Sequence, residues 1–162
     1  MLLNIVEDYK NHIPNDDRNI IDNTTGALQL SYSTSQVNSS ELIVEADIDR
    51  INQAVSNLIN NAIKFTSKRG GTISVTTEKR NGSKNDNQEE VVVNIVDTGK
   101  GIDHEILPRL FTKFASKSTS GTGLGLYISK SIIEAHSGRI WAENNPDGKG
   151  ATFSFSLPIT QK

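Results

Sequence analysis

The sequence predicts an α+β two-layer sandwich, with several strands on one side and about three helices on the other. Three observations lead there. Ile48, Ile51, Val55, Leu58, Ile59 and Ala62 recur at three- and four-residue steps, which is the apolar face of an amphipathic helix over 48–66. Near the end of the chain Ala151, Phe153, Phe155 and Leu157 alternate with Thr152, Ser154 and Ser156, as in a strand with one packed face. The chain has 162 residues, 35% hydrophobic and 22% charged, which supplies one core and leaves too little length for two.

Taken in order, Leu2, Leu3, Ile5, Val6, Tyr9 and Ile13 have rough helical spacing, stopped by Pro14 and the Asn15-Asp16-Asp17 cluster. Residues 1–20 are therefore expected to be a helical stub or linker, and 21–160 the folded domain. Ala27-Leu28-Gln29-Leu30-Ser31-Tyr32 alternates as a strand, and Leu42-Ile43-Val44 reads as a second short one across a Ser/Thr/Asn-rich loop. Asp47 precedes the long helix, which closes before Gly70-Gly71. The β-branched segment 72–78 and the apolar run 91–96 are expected to pair as a hairpin across a polar loop. Residues 103–122 read as irregular. Leu124, Ile128, Ile132 and Ala135 then mark a helix, and 139–143 with 151–157 form a closing hairpin over Asn144-Asn145-Pro146-Asp147-Gly148.

Several function classes are excluded or disfavoured at once. There are no cysteines, so disulfides, thiolate catalysis and thiolate zinc sites are out. His12, His104 and His136 are scattered without a carboxylate pattern for a metal cage. Seventeen Lys and Arg against 19 Asp and Glu give a net charge of −2, which offers no global field to hold nucleic acid or an anionic membrane. No apolar run reaches the roughly 20 residues of a membrane span, and the first residues lack a secretion signal, so a cytoplasmic setting is expected. A phosphate ligand would need local amides and a few well-placed cations.

Eight of the 12 glycines lie between 99 and 150, and that clustering leads to the chemistry. Arg50, Asn57, Asn61 and Lys64 form a polar stripe on the long helix. Asparagine is a mediocre helix former, and its amide oxygen is a hard neutral ligand suited to Mg²⁺; the stripe also reads as a solvated face. Asp97 ends an apolar strand, where a carboxylate needs donors, and the Gly99-Lys100-Gly101 that follows lets backbone approach a flat ring. The same residues read as a plain turn. Asp97-Thr98-Gly99 is also the aspartic-protease motif, but that chemistry shares a proton between two such loops, and the Lys100 cation disturbs it. Gly121-Thr122-Gly123-Leu124-Gly125-Leu126 opens a helix, where free amides and the dipole favour anions, although it matches neither common phosphate loop.

In combination these segments resemble a family. Asn57-Leu58-Ile59-Asn60-Asn61-Ala62-Ile63-Lys64-Phe65-Thr66, Asp97-Thr98-Gly99-Lys100-Gly101-Ile102, Leu110-Phe111-Thr112-Lys113-Phe114 and Gly121-Thr122-Gly123-Leu124-Gly125-Leu126 resemble, in order, the N, G1, F and G2 boxes of sensor histidine kinases. The segments 133–140 and 148–153 resemble the ending of the same family, so the likeness covers roughly 45–158. It implies the Bergerat ATP-binding fold, shared with DNA gyrase and MutL, with a mixed, mostly antiparallel sheet. It further implies ATP and Mg²⁺. Asn61 would hold the metal, Asn57 and Lys64 would reach the phosphates as catalytic residues, and Phe65 would pack beside the base. Asp97 would accept from the adenine amino group, with Gly99, Gly101 and Ile102 shaping its pocket. Residues 103–122 would be the lid, anchored by Phe111 and Phe114, with Gly121, Thr122, Gly123, Leu124 and Gly125 folding over the phosphates, and Thr152 would reach the adenine side through water.

Two departures from the family bear on mechanism. The arginine that often follows the F box is replaced by Ser116 and Lys117, so Lys117 becomes the substitute cation, without the guanidinium fork. Hydrolysing relatives carry a glutamate four residues before the metal asparagine; Asn57 stands there and cannot act as a base. The resemblance implies transfer to a histidine rather than to water, with an ATPase or serine kinase of the same fold as the alternative. No histidine in the chain fits the acceptor pattern. The acceptor is therefore expected on a separate dimerisation helix pair, of which residues 1–20 would be the end. The implied partners are that helix pair and a response regulator receiver domain, with no nucleic acid, and the fragment itself is expected to be monomeric.

Overall fold

The computed structural model describes residues 28–34, 43–66, 70–81, 88–115 and 122–160. Five strands form one sheet: β1 (Leu28–Thr34), β2 (Gly71–Asn81), β3 (Glu89–Asp97), β4 (Arg139–Asn144) and β5 (Ala151–Pro158), in the order β1-β2-β3-β5-β4. β1 and β2 are parallel and the other three pairings antiparallel, so the sheet is mixed as expected. Parallel neighbours require a crossover, and helix α1 (Ile48–Thr66) lies in the connection between them. Helix α2 (Gly125–Ala135) packs against α1 on the same side.

Alternation decides which side chains meet the helices. On β3 the inward set is Val91, Val93 and Ile95, continued by Asp97; on β5 it is Ala151, Phe153, Phe155 and Leu157. Register stacks Val75, Ile95, Phe153 and Ala142 across four strands, one row of the core. Against these lie Ile51, Val55, Leu58, Ile59 and Ala62 of α1, each 1% exposed or less, and burying a side chain of leucine size stabilises by roughly 1.5–3 kcal/mol. On the opposite face Asn94 serves three neighbours: it accepts from Ser154 Oγ (2.7 Å) and donates to Thr76 Oγ1 (3.4 Å) and Glu78 Oε1 (3.3 Å). Arg139 reaches from β4 to Glu90 on β3 at 2.8 Å.

The two helices are tied at both ends. Asp47 Oδ1 accepts from Arg50 N–H (3.1 Å), which caps α1, while Asp47 N–H donates to His136 Nε2 (3.1 Å) at the end of α2. The other His136 nitrogen bonds Ile132 O at 2.7 Å, so the ring links an unpaired carbonyl of one helix to the cap of the other. Farther along, Ala54 is small enough for the buried Ser129 hydroxyl to approach its carbonyl at 3.4 Å.

Some expectations shift. β2 runs to Asn81 rather than stopping near 78, because its outer end pairs with Glu89 and Glu90 and Lys79 meets Glu89 at 2.8 Å. Ile43 and Val44 are not a strand; Ile43 O receives one bond, from Thr160 N–H at 2.8 Å. Within 103–115 a single 3-10 turn (Leu107–Arg109) forms, with Pro108 at its start, where a missing N–H costs nothing. The expected stub at 1–20 lies outside the described residues, as do Lys117 and Gly121; the described residues hold two α-helices.

The end of α2 generates a paired prediction. Ser137 has φ +59° and Gly138 N–H bonds back to Ile133 O (3.0 Å), the left-handed ending in which glycine is the usual residue at the position Ser137 fills. Ser137→Gly should stabilise the protein by about 0.5–1 kcal/mol. At the neighbouring position an added Cβ would lie 2.1 Å from Ser156 O, so Gly138→Ala should destabilise by about 2–3 kcal/mol. Urea denaturation of the two variants checks both signs.

Candidate functional site

A cavity of about 470 Å³ opens between α1, the end of β3, the start of α2 and the inward side of β5. Asn61, Lys64 and Phe65 enter it from the last turns of α1, and Ala151 and Phe153 from β5. Asp97 lies at its base, 3% exposed. A wider groove of about 970 Å³ runs along Glu45, Asp47, His136 and Ser137, and none of the candidate residues lines it.

The Asp97 carboxylate is held by backbone. Gly99 N–H donates to Oδ1 at 2.8 Å, and Ala151 N–H is a second donor. Burial pushes its pKa above the ordinary aspartate value of 3.8, and the two N–H groups pull the other way. Glycine is required around it. A Cβ on Gly150, which has φ +75°, would stand 1.9 Å from Asp97 O, and one on Gly99 would stand 2.6 Å from Phe65 O and 2.8 Å from Asp97 Oδ1. The carboxylate, the Phe65 backbone and the hairpin turn therefore meet without side chains between them.

Two ammonium groups flank the Phe65 ring, Lys64 Nζ at 5.4 Å and Lys100 Nζ at 4.9 Å from its centroid. Asn57, one turn before Asn61, turns toward α2 and donates to Gly125 O (3.2 Å) and Ser129 Oγ (3.3 Å). At the α2 start, Phe114 N–H donates to Gly123 O (3.1 Å), and both residues have positive φ, +62° and +66°. A Cβ on Gly123 would meet Phe114 Cα at 2.8 Å, so here too close backbone contact depends on glycine.

The cavity brings together Asn61, Lys64, Phe65, Asp97, Gly101, Ile102, Thr122, Gly123 and Gly125 of the sequence-predicted set. Others lie beside it. Gly99 backs the carboxylate, Phe111 packs against the core, Leu124 is the N-cap of α2, and Phe114 is 71% exposed. Thr152 departs from expectation: strand alternation turns it away from the inward side, and its hydroxyl donates to Asn145 Oδ1 at 2.7 Å. Its neighbour Ala151 lines the cavity instead, a consequence readable from the alternation of 151–157 once the inward side is known. Lys100 and Leu126 also line the cavity without having been assigned a site role from sequence, and Asp103, Ile106 and Leu110 of the expected lid segment line it too. Asn144 and Asn145, taken as turn residues, bond Ile102 and Asp97 respectively.

Residues 46–161 match the family described as histidine kinase-, DNA gyrase B-, and HSP90-like ATPase. Sensor protein KdpD of Clostridium acetobutylicum is 41% identical over 123 residues, 72% of this chain and 13% of that protein. Sensor protein FixL of Bradyrhizobium diazoefficiens is 43% identical over 120 residues, 74% of this chain and 23% of that protein. The chain thus spans less than a quarter of the length of either. Among solved structures, the nucleotide-free catalytic domain of histidine kinase ThkA superposes with a TM-score of 0.72 at 30% identity, covering 99% of this chain and 95% of that one.

The buried carboxylate sets a pH prediction. A folded pKa raised above the unfolded one means the folded state holds the proton more tightly, so Asp97's contribution to stability is complete below the ordinary value of 3.8 and is lost as pH rises through the raised value. Asp97→Asn removes that component. Across a pH series of urea denaturations, the stability of Asp97→Asn relative to wild type should therefore improve as pH increases through that window.

Proposed function

The chain belongs to the histidine kinase-, DNA gyrase B- and HSP90-like ATPases, and from that premise we propose that it binds ATP with Mg²⁺ in the Asp97 cavity and transfers the γ-phosphoryl group to a histidine carried by another domain. The observation that carries this reading is the buried Asp97 carboxylate, which has acceptor capacity beyond its two backbone donors and lines the same cavity as Phe65. An adenine base fits that chemistry. Its exocyclic amine donates to Asp97, and its flat faces tolerate the close glycine backbone at 99 and 101.

The phosphate end is supported by Lys64 on α1 and by the backbone of 122–125 at the start of α2, where free amides and the helix dipole favour an anion. The residues present fit Mg²⁺ rather than a protein-caged metal: Asn61 offers an amide oxygen to the cavity, and among the described residues no cluster of three or more His, Cys, Asp or Glu could hold an ion. A metal taking most of its oxygens from phosphate and water is what Mg²⁺ prefers, and when bound it neutralises charge on the transferring group. Asn61 would hold it, and Lys64 would balance the remaining charge.

Asn57 supports an acceptor other than water. It carries an amide where a water-activating carboxylate would stand, and that amide is engaged with Gly125 and Ser129, so the chain offers no base to water at that position. An imidazole needs none, because its neutral nitrogen attacks phosphorus directly. The chain itself contributes positioning and charge stabilisation. The acceptor-bearing helix pair and a receiver domain that takes the phosphoryl group onward are the proposed partners. ATP as substrate calls for a cytoplasmic setting, and none of the described helices is long and apolar enough to cross a membrane.

Calorimetry with a non-hydrolysable ATP analogue and Mg²⁺ tests the reading. Wild type should bind, and Asp97→Ala should weaken binding about 10- to 100-fold, the worth of a hydrogen bond to a charged group. The wild-type affinity should also fall as pH is lowered through the raised Asp97 pKa, because the protonated carboxyl loses acceptor strength. With a histidine-bearing helix pair supplied, an acid-labile, base-stable label should appear on it. Steady phosphate release with no labelled partner would favour the ATPase reading, and absence of binding by wild type would overturn both.

A further inference from the structure

We infer that Asn144 and Asn145, at the end of β4, are positioning residues that hold the Asp97 loop in register for base recognition, an inference that rests on reading the cavity as an adenine-nucleotide site. β3 ends at Asp97, and the backbone of 99–102 continues beyond the ladder. Asn144 supplies what the ladder no longer does. Its Oδ1 accepts from Ile102 N–H at 2.6 Å and its Nδ2 donates to Ile102 O at 2.9 Å, the two bonds a paired strand residue would make.

Asn145 extends the clamp. Its Nδ2 donates to Asp97 O (2.8 Å) and Lys149 O (2.7 Å), using both hydrogens, and its Oδ1 receives the Thr152 hydroxyl at 2.7 Å. One carboxamide therefore joins the residue that carries the carboxylate, the hairpin turn and β5. The surroundings allow few alternatives. A Cβ on Gly101 would lie 2.9 Å from Asn144 Oδ1, and one on Gly150 would overlap Asp97 O, so loop and hairpin pack backbone on backbone. Neither asparagine lines the cavity; each acts through Asp97 or Ile102, which do. Truncating either should loosen the base end of the site and leave the phosphate end, built on α1 and the start of α2, in place.

The test measures the full chain with Mg²⁺ against ATP, GTP and inorganic tripolyphosphate by competition with a fluorescent ATP analogue, alongside urea denaturation. Asn144→Ala and Asn145→Ala should each weaken ATP about tenfold, the scale of two lost neutral hydrogen bonds, and lower the preference for ATP over GTP by a similar factor, with tripolyphosphate changed less than twofold. Asn144→Asp keeps the acceptor for Ile102 N–H and loses the donor, so it should recover part of both ATP affinity and base preference. Folded variants that keep the wild-type ATP:GTP ratio overturn the proposal, as does a loss of ATP and tripolyphosphate in equal proportion, which marks a general loss of fold. Failure of wild type to bind ATP is a separate result and overturns the nucleotide reading itself.

Discussion

Asp97 continues the inward row of β3 after Val91, Val93 and Ile95, so the pleat that buries three apolar residues delivers a carboxylate to the same side of the sheet. Burying a carboxylate is costly unless donors meet it, and the fold supplies them from backbone, at Gly99 and Ala151. That requirement propagates outward. Gly99 must have no side chain, because Phe65 O occupies the space, and Gly150 must have none, because Asp97 O does. The end of α1, the loop after β3 and the β4–β5 hairpin are thus brought to one point by a single desolvated group. A hydrophobic residue at 97 would remove the need for this arrangement and also the acceptor that gives the cavity its chemistry.

The second constraint is the distance between the helices. Asn57 donates across to Gly125 O and Ser129 Oγ, and Ser129 reaches the Ala54 carbonyl. A Cβ on Gly125 would come within 3.7 Å of the Asn57 side chain, an ordinary contact, so the clamp depends on hydrogen bonding rather than on glycine here. Because α1 carries Asn61, Lys64 and Phe65 and α2 begins with the glycine-rich turn, this clamp bears on the width of the cavity between the two helices. On the proposed reading Asn57 therefore combines two roles: it helps to fix that width, and by being an amide it withholds a base.

Local patterns made most of the scaffold legible. The 3-4 spacing of α1 reports its buried face directly, and the alternation of 151–157 reports a one-sided strand, because each period is a property of neighbouring residues. Asp97 was legible as a polar residue ending an apolar run. The errors came where the answer depends on residues far apart in sequence. Thr152 was expected toward the base, but which parity of β5 faces the cavity is fixed only by its pairing with β3 and β4. Asn144 and Asn145 look like ordinary turn residues, since their partners, Ile102 and Asp97, lie 42 and 48 positions away. The charge of Lys100 entered the sequence reading as an argument against a protease, whereas its ammonium sits over the Phe65 ring.

Electrostatics connects these parts. A chain of net charge −2 has no long-range attraction for a polyanion, so any affinity for a triphosphate must come from charges within about a Debye length of the cavity, roughly 8–10 Å at physiological salt. Lys64 and Lys100 meet that condition, each lining the cavity and lying against the Phe65 ring. Lys113 lies over Tyr127 at 5.0 Å, beside the start of α2. Aromatic faces attract cations without neutralising them. Phe65 thus draws two lysines to the cavity lining, while Asp97, the one buried carboxylate among the described residues, is met by N–H donors, and on the proposed reading these groups divide between the phosphates of the ligand and the amine of its base.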